Sequence, residues 1–377
     1  MPSIHVVRWI ENIPDIYELH WFDILDRGAI ETSKTINQHL NWKKRSFIKL
    51  RGAFTLKKYL PLLYKKCVDW YDTSLTKTFF QLVEEVKPDI VHSFNLQAGG
   101  FPILKVMKIK KDIPWIINCW GNDIYYFQNF QKEQKKIRAT LSRVNYFTAD
   151  CYRDYKLASN MGFRGVELPM IPGGGGYHLN EMFPYRSPIS KRKIILIKGY
   201  HHIFGRAISV LQALETIEDK ILPFDVVIFG AHPPVLDFVK NKGKSWKVYG
   251  RHDLSHTELI KLMGQSFIYI GNNISDGMPN TLLEAIIMGA FPIQSNPGGA
   301  TAEIIENEEN GYLIENPEDF SQISDLLSRA INSKELLEKA FSINENIAIE
   351  RLEYQVIKNQ IQEMYSTIIS NKKINFL

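Results

Sequence analysis

Cysteine is scarce in this chain: Cys67, Cys119 and Cys151 are the only three in 377 residues. Three scattered thiols exclude a disulfide framework and a thiolate zinc site, and such sparing use suits a reducing compartment. Long apolar runs are missing too, and none approaches the roughly 18 to 20 residues that a membrane-crossing helix needs. The opening Met1-Pro2-Ser3-Ile4-His5 lacks the charged-then-apolar order of a secretory signal, so the expected address is the cytoplasm. There is no internal repeat, and the one low-complexity tract is Gly173 to Gly176. At 45% hydrophobic and 23% charged residues, the remainder has the balance of a globular protein, and its length calls for two domains.

Acidic residues are absent from Asn41 to Lys66, where nine cations occur: Lys43, Lys44, Arg45, Lys49, Arg51, Lys57, Lys58, Lys65 and Lys66. Trp42, Phe47, Phe54, Tyr59 and Tyr64 are interleaved with them. Cations mixed with aromatics suit an anionic membrane surface. The plainer alternative is a surface helix whose aromatics point inward. Nucleic acid is the weakest reading of this segment, and none is expected as a partner.

Short β-rich runs alternate with helical stretches, which predicts parallel α/β layers. Tyr17–Ile24, Pro88–Phe94, Pro114–Trp120 and Tyr146–Ala149 read as strands of a first half, with a helical stretch from Ala98 to Lys110. After the four glycines, Tyr177 to Lys193 is polar, carries Pro184 and Pro188, and reads as a linker. The alternation then restarts with strands at Ile194–Lys198, Asp225–Phe229, Phe267–Ile270 and Phe291–Gln294. Helices are expected at Arg206–Ile217, from a capping box at Ser255-His-Thr-Glu258, at Asn280–Met288, and beyond Ser321. The expected units are residues 1–176, a linker at 177–192, a second domain at 193–350, and a C-terminal helix at 351–377 that packs back on the first. Ligands of such sheets bind beyond the carboxyl ends of the strands, here in a cleft between two halves.

Chemistry concentrates in Ser275-Asp-Gly-Met-Pro-Asn-Thr-Leu-Leu-Glu284. A flexible loop runs into a helix start, where the amides of Gly277 to Asn280 could receive phosphate oxygens. Asp276 and Glu284, eight positions apart, can face one ligand and accept hydrogen bonds from sugar hydroxyls. Two plainer readings stand beside this one. Thr281 and Glu284 have capping-box spacing, and Asp276 could be an ordinary turn carboxylate.

From Asn273 to Ile314 the order of these residues resembles the signature region of glycosyltransferase family 4, of the GT-B fold class. The acid-Gly-x-Pro loop is followed by a helix with Glu284-Ala285, a strand before Gly298-Gly299, then Glu303-Ile304-Ile305 and Asn310 to Ile314. The family's first acid is normally glutamate, and Asp276 is one methylene shorter. The resemblance implies two Rossmann-like parallel-sheet domains facing across a cleft, and transfer of a sugar from a nucleotide diphosphate to an acceptor with retention of configuration. It implies Asp276 beside the donor sugar and Glu284 on the ribose. Lys198 and Arg206 would meet the diphosphate, although Lys198-Gly199 and Gly205-Arg206 exchange the usual Arg and Lys. Gly199, Arg251, Gly277, Met278, Pro279, Asn280 and Thr281 complete the expected donor side. Lys87-Pro-Asp-Ile-Val-His92 and Trp120-Gly-Asn-Asp123 are similar to acceptor-domain motifs, which makes His92 and Asp123 acceptor-side candidates. No cofactor or metal is expected, in line with the lack of an Asp-x-Asp pair. The implied setting is polysaccharide or glycolipid synthesis, with the protein peripheral on the inner face of the membrane. The rivals are a nucleotide-sugar epimerase or other GT-B enzyme, and a non-catalytic sugar-binding protein.

One further expectation concerns the start of the chain. Ile4, Val7, Ile10 and Ile13 recur every three residues, which fits a first helix rather than the buried strand with which such a domain opens. The first strand is therefore expected to be missing, with the chain beginning downstream of the family's usual start.

Overall fold

Strand-length apolar runs separated by helices pair in parallel through crossovers, and this chain does so in each half. The computed structural model describes residues 4–43, 52–71 and 74–374. In the first half β1 (His20–Phe22) pairs in parallel with β2 (Asn37–His39). Separately, β3 (Val91–Phe94), β4 (Trp115–Cys119), β5 (Tyr146–Ala149) and β6 (Val166–Glu167) form a parallel sheet in that order. In the second half the strands are β7 (Ile194–Lys198), β8 (Asp225–Ala231), β9 (Lys247–Gly250), β10 (Ser266–Gly271), β11 (Phe291–Ser295) and β12 (Tyr312–Ile314). They lie in the order β12-β11-β10-β7-β8-β9, all parallel.

The register of the second sheet aligns Ile228, Ile197, Ile270 and Ile293 across four adjacent strands, and all four are fully buried. Each such side chain contributes about 1.5–3 kcal/mol by leaving water, and a slip by one residue would turn the row to the other face. The helix Asn280–Met288 follows β10 and ends at Gly289, whose φ of 74° suits a residue without Cβ. Every residue from Leu282 to Met288 is buried, so this helix is apolar nearly all round, with Glu284 as its one charged member.

The N-terminus is helical, as its period predicts: Ile4–Glu11 is a helix, with Trp9 packed against Phe94 and Ile116. Val6 and Ile10 pack with Ile30, Trp21 and Phe94. Among the described residues no strand pairs with β3 on the side away from β4, and β1 and β2 remain a separate pair. The last helix, Tyr354–Ile374, lies against the first half: Ile357, Ile361, Tyr365 and Ile368 recur at helical spacing and pack with Trp9, Ile13, Ile116 and Ile171.

Residues 177–192 are less free than their composition suggests. Tyr177, Leu179 and Met182 are buried in the second half's core beside Leu283 and Ile286. Tyr177 also exchanges backbone hydrogen bonds with the Leu352–Tyr354 segment. The basic segment is helical at Ala53–Tyr59 and Pro61–Tyr71. Several of its apolar side chains face outward, with Phe54 and Leu62 both 81% exposed and Tyr59, Leu60 and Leu63 exposed as well. Residues 44–51, carrying Lys44, Arg45, Phe47, Lys49 and Arg51, lie outside the described residues. No described helix is long and apolar enough to cross a membrane.

Candidate active site

The carboxyl ends of β7 and β10 and the start of the Asn280–Met288 helix meet the first half in a cleft. Glu284 is 4% exposed, and its Oε1 accepts a hydrogen bond from His256 Nε2 at 2.8 Å. The helix is capped by Pro279, which has no side chain to accept a bond, and Thr281 Oγ1 pairs with Tyr269 Oη at 2.9 Å. The capping-box alternative is therefore not what holds Glu284. A carboxylate buried in an apolar helix with one half-exposed partner is poised to accept further hydrogen bonds. His256 also lines a cavity of about 450 Å³ together with Arg8, Glu11, Tyr177 and Tyr354.

Asp276 lies at the loop, accepting from Asn273 Nδ2 at 3.0 Å and from the Gly277 amide at 3.0 Å. Gly277, Met278 and Pro279 are buried, while Asn280 and Thr281 are partly open. Lys198, at the end of β7, is buried with its Nζ 4.7 Å from the centre of the Tyr200 ring. Gly199 follows, its amide bonded to the Phe229 carbonyl and its Cα packed on Ala231 with no room for a Cβ. Arg251 is exposed in the turn after β9. Arg206 is occupied: its guanidinium pairs with Glu318 and donates to the carbonyls of His202 and Gly205. The structure thus brings Lys198, Asp276 and Glu284 to one cleft, with Arg206 bracing the loop beside them.

The first half closes on this loop. Gly121 adopts φ 65°, ψ −66° in a γ-turn, with the Asn122 amide 2.7 Å from the Trp120 carbonyl. A Cβ at Gly121 would sit 1.9 Å from the Gly277 nitrogen, so the two backbones touch. Ser275 Oγ donates to Asn122 Oδ1 at 2.6 Å. Arg153, buried, donates to the carbonyls of Asp276 (2.8 Å), Pro297 (2.6 Å) and Gly121 (3.2 Å). Glu303 accepts from the amides of Tyr152 and Arg153, at the start of the Tyr152–Asn160 helix.

Asp123 is fully buried and braces the turn, accepting from the Trp120 amide at 2.7 Å and from Asn95. Burial first, and then Asp154, pushes its carboxyl up to about 7. Asp154 is likewise pushed up to about 6, by burial against the opposing pull of Arg153. Asp150, which accepts from the Met278 amide, is raised well above the usual range by burial and by Asp154 and Asp276. His92 does not reach the cleft. Its Nδ1 bonds Tyr365 Oη at 2.7 Å, its ring packs on Trp9 and Phe94, and burial pushes its pKa down to about 3. The returning C-terminal helix covers His92, which local sequence leaves open.

Two histidines in the cleft carry no motif. His5 Nδ1 accepts from Asn280 Nδ2 at 2.7 Å, and Tyr177 Oη donates to Asn280 Oδ1 at 3.2 Å. The first helix is thereby joined to the start of the Asn280–Met288 helix, by residues 275 positions apart. His202 lies on the loop after Lys198; the adjacent pair His201-His202 is visible in the sequence but has no motif spacing.

Two family models match the chain: "Glycosyl transferases group 1" over residues 189–346 and "Glycosyl transferase 4-like" over residues 73–151, together more than half of it. No curated protein sequence matches. Among solved structures, HepE of Anabaena in complex with UDP superposes with a TM-score of 0.66 at 15% identity, covering 97% of each chain. Sucrose-phosphate synthase of Thermosynechococcus elongatus gives 0.66 at 14% identity, covering 91% of this chain and 86% of that one. A glycosyltransferase of Rickettsia africae gives 0.56 at 18% identity, covering 79% and 81%. At such identities the likeness is one of fold.

Proposed function

The chain belongs to the group 1 glycosyltransferases, with the GT-B architecture, and on that basis we propose that it moves a sugar from a nucleotide diphosphate to an acceptor with retention of configuration. The observation that carries the donor reading is Glu284, a buried carboxylate in an apolar helix, set behind a loop of buried backbone and held by His256. In this reading Glu284 accepts the ribose hydroxyls and Asp276 those of the sugar. Lys198, the amides of Asn280 and Thr281 at the helix start, and Arg251 meet the diphosphate as its bond to the sugar breaks. Preorganised donors aimed at developing negative charge are the usual source of such catalysis. Arg206 contributes by fixing the loop through Glu318. UDP-glucose, bound by HepE in one crystal structure, is a reasonable first probe.

The first half, residues 1–176, takes the acceptor, with Asp123 shaping the turn that forms the floor of the cleft. Residues 193–350 take the donor, 177–192 connect them, and 351–377 tie the chain back to the first half. We assign the outward-facing Phe54, Tyr59, Leu60, Leu62 and Leu63, flanked by Lys57, Lys58 and Lys66, to an anionic membrane surface at which a lipid-linked acceptor is presented. The outward Phe54 and Tyr59 favour this over the reading with inward aromatics, although Trp42 turns inward to the Asp23 carbonyl and Phe22. The setting is then cytoplasmic-face polysaccharide or glycolipid synthesis. A thermal-shift screen of nucleotide sugars tests the donor reading: one or more should raise the melting temperature, with or without a chelator present. A protein stabilised only by free sugars would be a binding protein instead.

A further inference from the structure

We propose that His202 binds the donor's diphosphate as a neutral hydrogen-bond donor through its Nε2–H; this rests on the second half being the nucleotide-sugar domain. His202 Nδ1 accepts hydrogen bonds from the amides of Phe204 at 3.0 Å and Gly205 at 3.4 Å. An amide can only donate, so Nδ1 presents its lone pair and the neutral ring carries its proton on Nε2. Among the described residues Nε2 has no hydrogen-bond partner, and the residue is exposed. The ring is held on its flanks by His232 at 4.9 Å between centroids, Tyr200 at 5.7 Å and Phe204 at 5.8 Å.

The loop that carries it is braced on both sides. Ala207 N–H donates to the Tyr200 carbonyl, Arg206 N–H to Asn272 and Ile274 N–H to Phe204. The Arg206 guanidinium clamps the His202 carbonyl itself. Around the imidazole stand His232, Lys198 and Arg251, opposed by Asp276. Burial and these three neighbours hold the ring below its ordinary pKa, so it stays a neutral donor at pH 7. Protonation would also need Nδ1 to turn from the Phe204 amide. A fixed N–H beside two permanent cations, with no acceptor of its own, selects an anionic oxygen. In this cleft that anion is the diphosphate between sugar and nucleoside. No proton moves; the group contributes a directed hydrogen bond that costs no reorganisation.

Two substitutions separate this from a role in loop structure alone. His202→Asn keeps an acceptor at the δ position for the Phe204 amide but loses the distal N–H. His202→Gln keeps an N–H at the ε position. The probe is UDP-glucose or, if it does not bind, whichever of ADP-, GDP- and dTDP-glucose does, titrated calorimetrically at pH 7.5. His202→Asn should weaken binding roughly ten- to hundred-fold, the usual effect of losing a bond to a charged group. His202→Gln should recover to within about three-fold of the parent, as one good bond restored implies, and both should melt like the parent. Parent-like binding by His202→Asn, or equal losses in both variants, would overturn the proposal while leaving the donor site intact. Failure of the parent to bind any nucleotide sugar would remove the premise, and the proposal with it.

Discussion

Replacing Gly121 by alanine should wedge the cleft open. The new Cβ would stand 1.9 Å from the Gly277 nitrogen, 2.3 Å from its Cα and 2.4 Å from the Asp276 carbonyl carbon. Carbon atoms want about 3.5 Å or more, so the two backbones must separate by about 1.5 Å. That movement would stretch the 2.6 Å Ser275–Asn122 bond and the 2.8 Å Arg153–Asp276 bond beyond hydrogen-bonding range. Each is worth about 1 kcal/mol, and alanine at φ 65° adds about 1–2 kcal/mol of backbone strain. Misplacing reacting groups by about 1 Å can cost roughly a hundred-fold in turnover. Gly121→Ala should therefore lose about that much transfer or donor-hydrolysis activity, with a larger radius of gyration in solution scattering. Nucleotide binding, proposed to lie in the second half, should fall far less. Gly162→Ala is the control, because Gly162 also has a positive φ, of 99°, with nothing within 4 Å of a Cβ. It should cost stability but not turnover. Wild-type turnover and dimensions in Gly121→Ala would refute the reasoning.

Other consequences follow from the same geometry. The Asp123 carboxyl is pushed up to about 7, above its unfolded value, so its contribution to stability is complete at low pH and lost as pH rises through about 7. Between pH 5.5 and 8 the melting temperature of Asp123→Asn, which cannot ionise, should thus fall less than the parent's; parallel profiles would contradict this. Co-sedimentation with vesicles containing anionic lipid should fall steeply with salt, because the attraction of surface lysines fades within a Debye length of about 8–10 Å. Phe54→Ser with Leu62→Ser should reduce it further, and equal binding to neutral vesicles would exclude the membrane surface.

Much of this architecture is legible without coordinates. The strands at 146–149 and 194–198 and the helix at 280–288 coincide with their sequence readings to the residue, the helix because Pro279 and Gly289 bound it on both sides. The box at Ser255 and Glu258 forms both of its bonds. What local pattern could not supply are contacts between distant residues. His92 lies inside β3 rather than at its end, and the helix 273 positions later takes its Nδ1. Residues 177–192 read as a linker, but Tyr177, Leu179 and Met182 dock the start of that segment onto the second core. Arg153 and His5 carry no spacing signal, and only the meeting of the halves gives them partners at Asp276 and Asn280. The Glu284 alternative was decided by its neighbours: with Pro279 at the helix cap, the carboxylate turns to His256.

The central claim is that Glu284 holds the nucleotide of a sugar donor. Calorimetric titration of the parent and of Glu284→Ala with the nucleotide sugar that stabilises the parent most tests it directly. The account predicts saturable binding by the parent and a loss of roughly ten- to hundred-fold in the variant, as for a hydrogen-bonded carboxylate removed. Parent-like affinity in Glu284→Ala, with only a lowered melting temperature, would contradict it.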